Sequence, residues 1–268
     1  HKLYQEAYTP WEWQPKLKEI AEEEGLIFFS SPFDVTAVDF LEEMDVPAYK
    51  VASFEITDIP LIEYIASKGK PIIISTGIAT LADIEEALNV CKRMGNEKVA
   101  LLKCTSAYPS PLEDINLRVI PNMKDTFGTV VGLSDHTLGH TVALGAVALG
   151  AKIVEKHITL NRADGGPDAK FSMEPDEFKE MVIRIRELEK ALGNVTYELT
   201  EKQKKSREHS RSLFVVKNIK KGELFTEENI KSIRPGFGLS TKYIKDIVGK
   251  KARKDITKGT PVDWSLIE

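Results

Sequence analysis

Gly132-Leu133-Ser134-Asp135-His136-Thr137 closes one buried apolar run, and Glu155-Lys156-His157 closes the next, with a helical pattern between them. Two successive strands of a parallel sheet therefore finish on a histidine at the same end. Neighbouring strands lie about 4.8 Å apart, so His136 and His157 come within reach of one divalent ion. These two stretches set the expectation of a metal site at the C-terminal mouth of a barrel.

Short β-branched runs at 26–30, 48–52, 71–75, 99–104, 130–133 and 152–155 alternate with helical patterns. That alternation predicts six βα units and a parallel sheet. Thr80-Leu81-Ala82-Asp83 has the form of a capping box, opening an amphipathic helix that closes near Gly95, and apolar residues recur at helical spacing from Glu177 to Leu192. No glycine-rich phosphate loop follows an early strand, which disfavours an open doubly wound sheet. The expected class is α/β, a TIM-type (β/α)8 barrel. Such a barrel takes about 250 residues, whereas the six units end near Gly193, so its first two units are expected to be absent from this chain. The opening agrees: the chain starts at His1, and Leu3-Tyr4-Gln5-Glu6-Ala7-Tyr8 reads as if already inside a fold.

After Gly193 the texture changes. Residues 1–193 are the expected catalytic barrel, 194–211 a polar, basic linker or exposed helix, and 212–268 a small β-rich domain. Within it Asn218-Ile219-Lys220-Lys221-Gly222-Glu223 is echoed by Asp255-Ile256-Thr257-Lys258-Gly259-Thr260, which predicts two similar halves. So short a segment buries only a modest core.

The net charge of -4 arises from lysines and glutamates mixed along helix faces, which leaves no nucleic-acid footprint. No apolar run reaches membrane-spanning length. Cys91 and Cys104 are isolated and read as small hydrophobes in a reducing, cytoplasmic compartment.

Side chains alternate along a strand, so Ser134 shares a face with His136, Glu155 with His157, and Ser53 with Glu55. A lone histidine or serine at a strand end is ordinarily a cap or a core hydrogen bond. The pattern repeated at one end of several strands points to a site. Ser30-Ser31-Pro32-Phe33, Lys50, Ser75-Thr76-Gly77 and Thr105-Ser106-Ala107-Tyr108 add hydroxyls and a cation suited to a phosphate or carboxylate. Lys50 and Ser53 differ in parity, so both face inward only across a bulge or a strand end. The loop Asn161-Arg162-Ala163-Asp164-Gly165-Gly166-Pro167-Asp168 reads as a surface turn or as a flap that carries Asp168 to substrate. Trp11 and Trp13 staple the first helix or stack on a sugar. No serine elbow or cysteine-histidine pair is present for acyl chemistry. Glu55 with Glu155 is a candidate glycosidase pair that fits the cationic surroundings less well than an anionic substrate does.

These motifs, with Tyr49-Lys50-Val51-Ala52-Ser53-Phe54-Glu55 and Cys104-Thr105-Ser106-Ala107-Tyr108-Pro109, resemble the sialic-acid synthases, the phosphoenolpyruvate-dependent nonulosonic acid synthases. The resemblance spans nearly the whole chain. The C-terminal segment resembles the antifreeze-like (SAF) domain that ends these enzymes, with Arg234 of Ile233-Arg234-Pro235-Gly236 at the position of its functional arginine. The opening 3–13 and Ala52-Ser53-Phe54-Glu55 are most similar to the pseudaminic branch. The N-acetylneuraminate branch usually carries Gly-Ser-Gly-Glu at 52–55 and asparagine where Ser106 stands.

The resemblance implies that His136 and His157 hold manganese or magnesium, and that Ser31, Lys50, Ser53, Ser75, Ser106 and Ser134 bind phosphoenolpyruvate. It implies catalytic roles for Glu55, His157 and Tyr108, and sugar contacts for Tyr108 and Asp168. Arg234 would act from the partner subunit of a domain-swapped homodimer. The implied reaction condenses phosphoenolpyruvate with an altrose-type 2,4-diacetamido-2,4,6-trideoxy hexose and water to pseudaminic acid and phosphate, by C–O cleavage. The alternatives are N-acetylneuraminate or legionaminic acid synthesis by the same mechanism, a metal-dependent aldolase, or a non-catalytic carbohydrate-binding barrel. The family's acidic, Asn-His opening strand and a phosphate-binding lysine on its next unit have no counterpart in this sequence.

Overall fold

A computed structural model describes residues 8–268. The motif residues 3–7 lie outside the described residues. The chain forms two compact units, His1–Gly193 and Asn194–Glu268.

The first unit is built on five parallel strands in the order β1 (Tyr49–Val51), β2 (Ile72–Ser75), β3 (Val99–Cys104), β4 (Val130–Asp135) and β5 (Ile153–Lys156). Both faces of β1, β2 and β3 are mostly buried, which is why these runs read as continuously apolar. Helices α1 (Gln14–Glu23), α2 (Val35–Glu43), α3 (Ile59–Ser67), α4 (Leu81–Arg93), α5 (Val119–Phe127), α6 (Thr141–Ala148) and α7 (Pro175–Leu192) alternate with them after the first two. Local sequence starts several of them. Asp34 and Asp58 accept from the first-turn amides of Ala37 and Leu61, three residues on, and Thr80 with Asp83 forms the expected capping box. A second capping box, Glu174 with Glu177, opens α7.

The run at 26–30 departs from expectation. It contributes one parallel bridge, Ser30 to Tyr49, while Leu26 and Ile27 stay exposed. A run becomes a strand only along a hydrogen-bonded ladder, and here the ladder is confined to the Ser30 end. Trp11 stacks on Phe40 of α2 with ring centroids 4.7 Å apart, so it staples the first helix rather than facing a ligand.

The sheet curls into half a barrel. β1 and β5 stand four spacings apart in strand order, roughly 19 Å if the sheet were flat. Yet Lys50 Nζ of β1 lies 3.6 Å from Glu155 Oε2 of β5. Only a closed-in sheet brings those side chains together.

The core between sheet and helices is aliphatic, with Ile56, Ile62, Ile65, Ile74, Leu101 and Ile120 fully buried. A smaller cluster of Ala143, Met173 and Met181 joins α6 to α7.

In the second unit, α8 (Glu201–Ser206) opens on a Thr200–Gln203 capping box. β6 (Ser212–Val215) pairs antiparallel with β7 (Ile230–Ile233), and α9 (Ile244–Ile247) follows. The sequence echo is physical: Ile219 and Ile256 exchange backbone hydrogen bonds at 2.9 and 2.8 Å. Gly222 and Gly259 hold the matching left-handed turns at φ 83° and 91°. Leu213, Val215, Phe225, Ile230 and Val262 fill the core.

Gly132 marks the closest approach in the sheet. A Cβ there would stand 2.5 Å from the backbone oxygen of Ile153 and 2.6 Å from Leu102 Cδ2. Backbone cannot yield cheaply, so Gly132→Ala is expected to destabilise the unit by about 1–3 kcal/mol, read as a lower urea midpoint; an unchanged midpoint would contradict the close packing of β4 on β5.

Candidate active site

The C-terminal ends of β1 to β5 surround a cavity of about 190 Å³. Ser31 and Lys50 line it from the β1 side, Ser53 and Phe54 from the turn after β1, and Ser75 from β2. Cys104 and Tyr108 come from β3 and its loop, Ser134 and His136 from β4, and Glu155 and His157 from β5.

The parity question at β1 resolves at the strand end. β1 stops at Val51 and Ser53–Thr57 is a 3-10 turn, which re-aims the chain so that Lys50 and Ser53 both face inward. The same turn removes the expected strand alternation between Ser53 and Glu55, because three residues complete a 3-10 turn. Ser53 Oγ accepts from Gly77 N at 3.0 Å. Glu55 is not among the cavity-lining residues; its Oε2 is buried without a hydrogen bond, and burial raises its pKa, with Lys50 opposing.

Around Gly77 the hydroxyls converge. A Cβ there would stand 2.2 Å from Ser106 Oγ, 2.7 Å from Ser53 Oγ and 2.9 Å from Cys104 Sγ. Ser75 Oγ and Ser106 Oγ are buried and hydrogen-bond to no described group. Beside them Lys50 is 7% exposed, donating to Val51 O at 2.9 Å. Burial pulls its pKa down and Glu155 pulls it back up. Unpaired hydroxyls around a buried ammonium form a receptor for an oxyanion, since a ligand oxygen supplies the missing acceptors and the counter-charge.

Opposite them stand the imidazoles. The His136 and His157 ring centroids are 5.1 Å apart. His136 Nδ1 faces Thr105 O at 3.2 Å, and His157 Nδ1 lies 3.4 Å from Asp168 Oδ2. Each ring has one nitrogen engaged by an oxygen partner, as in metal-ligating histidines whose orientation is set from behind. Burial lowers both pKa values, and His136 lowers that of His157 further. Neutral imidazoles of this kind fit a divalent cation. Among the described residues no group of three or more His, Cys, Asp or Glu side chains is arranged for a metal, so this pair would rely on substrate or water oxygens for the remaining positions.

The loop after β5 returns to the site. Met173 N donates to His157 O and Thr159 N to Met173 O, both at 2.9 Å, closing the loop at its base. Arg162 clips it to α7, donating to Glu177 Oε1 at 2.7 Å and Ser172 O at 3.0 Å, which holds the Glu177 carboxyl at a pKa of about 2. Asp168 thereby reaches His157, although its side chain is more than half exposed.

Chains with this arrangement are known. A model of the NeuB family matches residues 1–197, and a SAF-domain model matches residues 210–268. The chain belongs to the NeuB family. It is 47% identical over 259 residues to a pseudaminic acid synthase of Campylobacter jejuni subsp. jejuni, covering 97% of this chain and 76% of that protein. A pseudaminic acid synthase of Helicobacter pylori is 46% identical over 269 residues, covering 100% of this chain and 79% of that one. Among solved structures, the spore coat polysaccharide biosynthesis protein spsE of Bacillus subtilis superposes with a TM-score of 0.67 at 35% identity, over 97% of this chain and 78% of its own.

Ser31, Lys50, Ser53, Ser75, Tyr108, Ser134, His136 and His157 thus meet at one cavity, with Ser106 behind Gly77 and Asp168 on His157. Arg234 lies in the second unit, directly after β7. Three residues of this NeuB site were given no part in it by the sequence, where Glu155 stood in a disfavoured glycosidase pair and Cys104 read as a small hydrophobe. Glu155 accepts from Ser134 Oγ at 2.6 Å and faces Lys50, and its parity with His157 was the available signal. Cys104 Sγ lies 3.8 Å from His136 Nδ1, a cysteine-histidine pair the sequence did not reveal because the two residues sit on adjacent strands 32 positions apart. Phe171 is 4% exposed and packs its ring edge on His157 at 5.0 Å; an aromatic inside a polar loop was its only mark.

The depressed imidazoles fix a pH dependence. In the unfolded chain histidine titrates near 6.5, so below that value the unfolded state takes up more protons than the folded one. Their contribution to stability is therefore complete above about pH 6.5 and is lost as the pH falls further. The urea midpoint of metal-free protein is expected to drop between pH 7.5 and pH 5.5, and a His136→Gln, His157→Gln variant to drop less. Equal drops would remove the burial argument.

Proposed function

We propose that this chain condenses phosphoenolpyruvate with a 2,4-diacetamido-2,4,6-trideoxy-altrose and water, releasing pseudaminic acid and phosphate. The observation that carries the reading is the oxyanion receptor of Lys50, Ser53, Ser75 and Ser106 facing the His136–His157 pair, in a chain 46–47% identical to pseudaminic acid synthases.

Lys50 and the serine hydroxyls bind the carboxylate and phosphate of phosphoenolpyruvate by charge-assisted hydrogen bonds. Ser134, held by Glu155, extends that set towards β5. Carbon three of the enol forms a bond to the open-chain aldehyde of the sugar, and positive charge develops at carbon two. A carboxylate near carbon two stabilises that charge, and a water oxygen adds there. Glu55, on the turn after β1 beside the cavity-lining Ser53 and Phe54, is the carboxyl proposed to take that water's proton; burial raises its pKa. Phosphate then departs with the former enol oxygen, so the C–O bond breaks and the P–O bond survives. His136 and His157 would hold a divalent ion, manganese or magnesium, which would supply Lewis-acid polarisation of the aldehyde. Asp168 and Tyr108, whose ring lies 4.5 Å from His136, flank the space for the sugar.

The same reading takes the barrel as (β/α)8 and the working enzyme as a cytoplasmic, domain-swapped homodimer in which Arg234 serves a second copy. Its support is the family resemblance at 233–236. Among the described residues no helix is long and apolar enough to cross a membrane.

The test is phosphate release from phosphoenolpyruvate carrying 18O in its bridging oxygen, with Mn2+ and each of three sugars. The altrose-type sugar is expected to give turnover with 18O in phosphate. Turnover with only N-acetylmannosamine or the legionaminic precursor would reassign the sugar, and label left in the sugar acid would refute C–O cleavage. Lys50→Met is expected to raise the KM for phosphoenolpyruvate by about 10–100-fold.

A further inference from the structure

We propose that the buried Asp135–Lys156 ion pair is the positioning device that sets the spacing of His136 and His157, an inference that rests on reading those histidines as a metal-binding pair. Both side chains are 0% exposed, and Lys156 Nζ lies 2.8 Å from Asp135 Oδ2. The two residues face each other in the β4–β5 register, each one position before a histidine. Asp135 Oδ1 accepts from Thr137 N at 2.9 Å and Thr137 Oγ1 at 2.7 Å, and Lys156 Nζ also donates to Thr137 O. One carboxylate therefore fixes the residues on both sides of His136, and the ammonium bound to it fixes the residue before His157.

The pair sits on the helix-facing side of the sheet, in the row of Val131, Leu133 and Val154. On β4 and β5 the earlier positions of that row are apolar; on β3 the row carries Lys103 beside Leu133, its ammonium donating to Thr105 Oγ1 at 3.0 Å. Burying two charges is costly, and an apolar pair of similar volume is often at least as stable. Stability alone does not account for a fully buried ion pair joining these two strand ends. A salt bridge differs from an apolar contact in direction: it fixes distance and register between two strand ends, while aliphatic side chains tolerate sliding. On the cavity face the two strands are tied one level earlier, by Ser134 Oγ donating to Glu155 at 2.6 Å, while at the level of the histidines themselves the rings only tilt against each other with centroids 5.1 Å apart.

The experiment compares full-chain wild type, Asp135→Asn, and the double variant Asp135→Leu, Lys156→Met. Mn2+ alone is the probe, followed by electron paramagnetic resonance of the free ion; melting temperature and histidine-ring NMR of the metal-free protein are recorded alongside. The double variant is expected to melt at or above wild type, to bind Mn2+ about 10–100-fold more weakly, and to lose the through-space contact between the two imidazoles. Asp135→Asn is expected to weaken Mn2+ binding in the same direction. A folded variant with wild-type Mn2+ affinity and an intact imidazole contact overturns the proposal. Failure of both variants to fold overturns it too, since the pair is then a folding element. If wild type binds Mn2+ no better than His136→Ala, the metal reading fails instead, and the imidazole contact in the double variant alone decides: kept, it refutes positioning; lost, it upholds it.

Discussion

The pairing of β4 with β5 in the register Ser134 to Glu155 and Asp135 to Lys156 is the constraint on which the rest of the site depends. Strand alternation divides these ends into two sets. Ser134, His136, Glu155 and His157 face the cavity, while Asp135 and Lys156 are sealed behind it. A slip of one residue would exchange the sets, placing a salt bridge in the cavity and imidazoles against aliphatic helix side chains. Gly132, two residues earlier, lets β4 approach β5 closely enough for that register. The hydroxyl of Ser134 then reaches Glu155 on the same level.

Curling of the sheet converts five separate strand ends into one receptor. Lys50 on the first strand and Glu155 on the last come within 3.6 Å, so the cation of the oxyanion receptor and the carboxylate beside the imidazoles share one enclosed volume. Removal from water gives each group its chemistry: burial lowers the pKa of Lys50, His136 and His157 and raises that of Glu55. The loop after β5 is tied by backbone bonds at His157 and by Arg162 donating to Glu177 of α7. A surface segment with a Gly165-Gly166 pair is thereby held with Asp168 and Phe171 against the imidazole.

Much of this was legible in the residues. Periodicity gave the alternation of strands and helices, Thr80 and Asp83 announced their capping box, and the paired histidines were visible because two successive strands end alike. The echo of 218–223 in 255–260 proved to be a mutual backbone pairing of Ile219 and Ile256. The exceptions have local causes. Residues 26–30 are as apolar as a strand, but composition does not report whether a ladder partner runs alongside. Ser53 and Glu55 look like alternating strand residues, yet β1 ends two residues earlier and a 3-10 turn follows. Phe171 carries no periodic signal because it belongs to a loop.

The sequence by itself determined the element types, the ends of the strands that carry polar groups, and the family, since these follow from local patterns and from motifs a few residues long. Only the tertiary structure decided which groups meet. That β1 reaches β5, that Asp135 bonds Lys156 behind the histidines, and that Ser106 converges with Ser53 on Gly77 all depend on sheet curvature and register. Those are properties of strands that are distant in the chain, and no local run of residues encodes them alone.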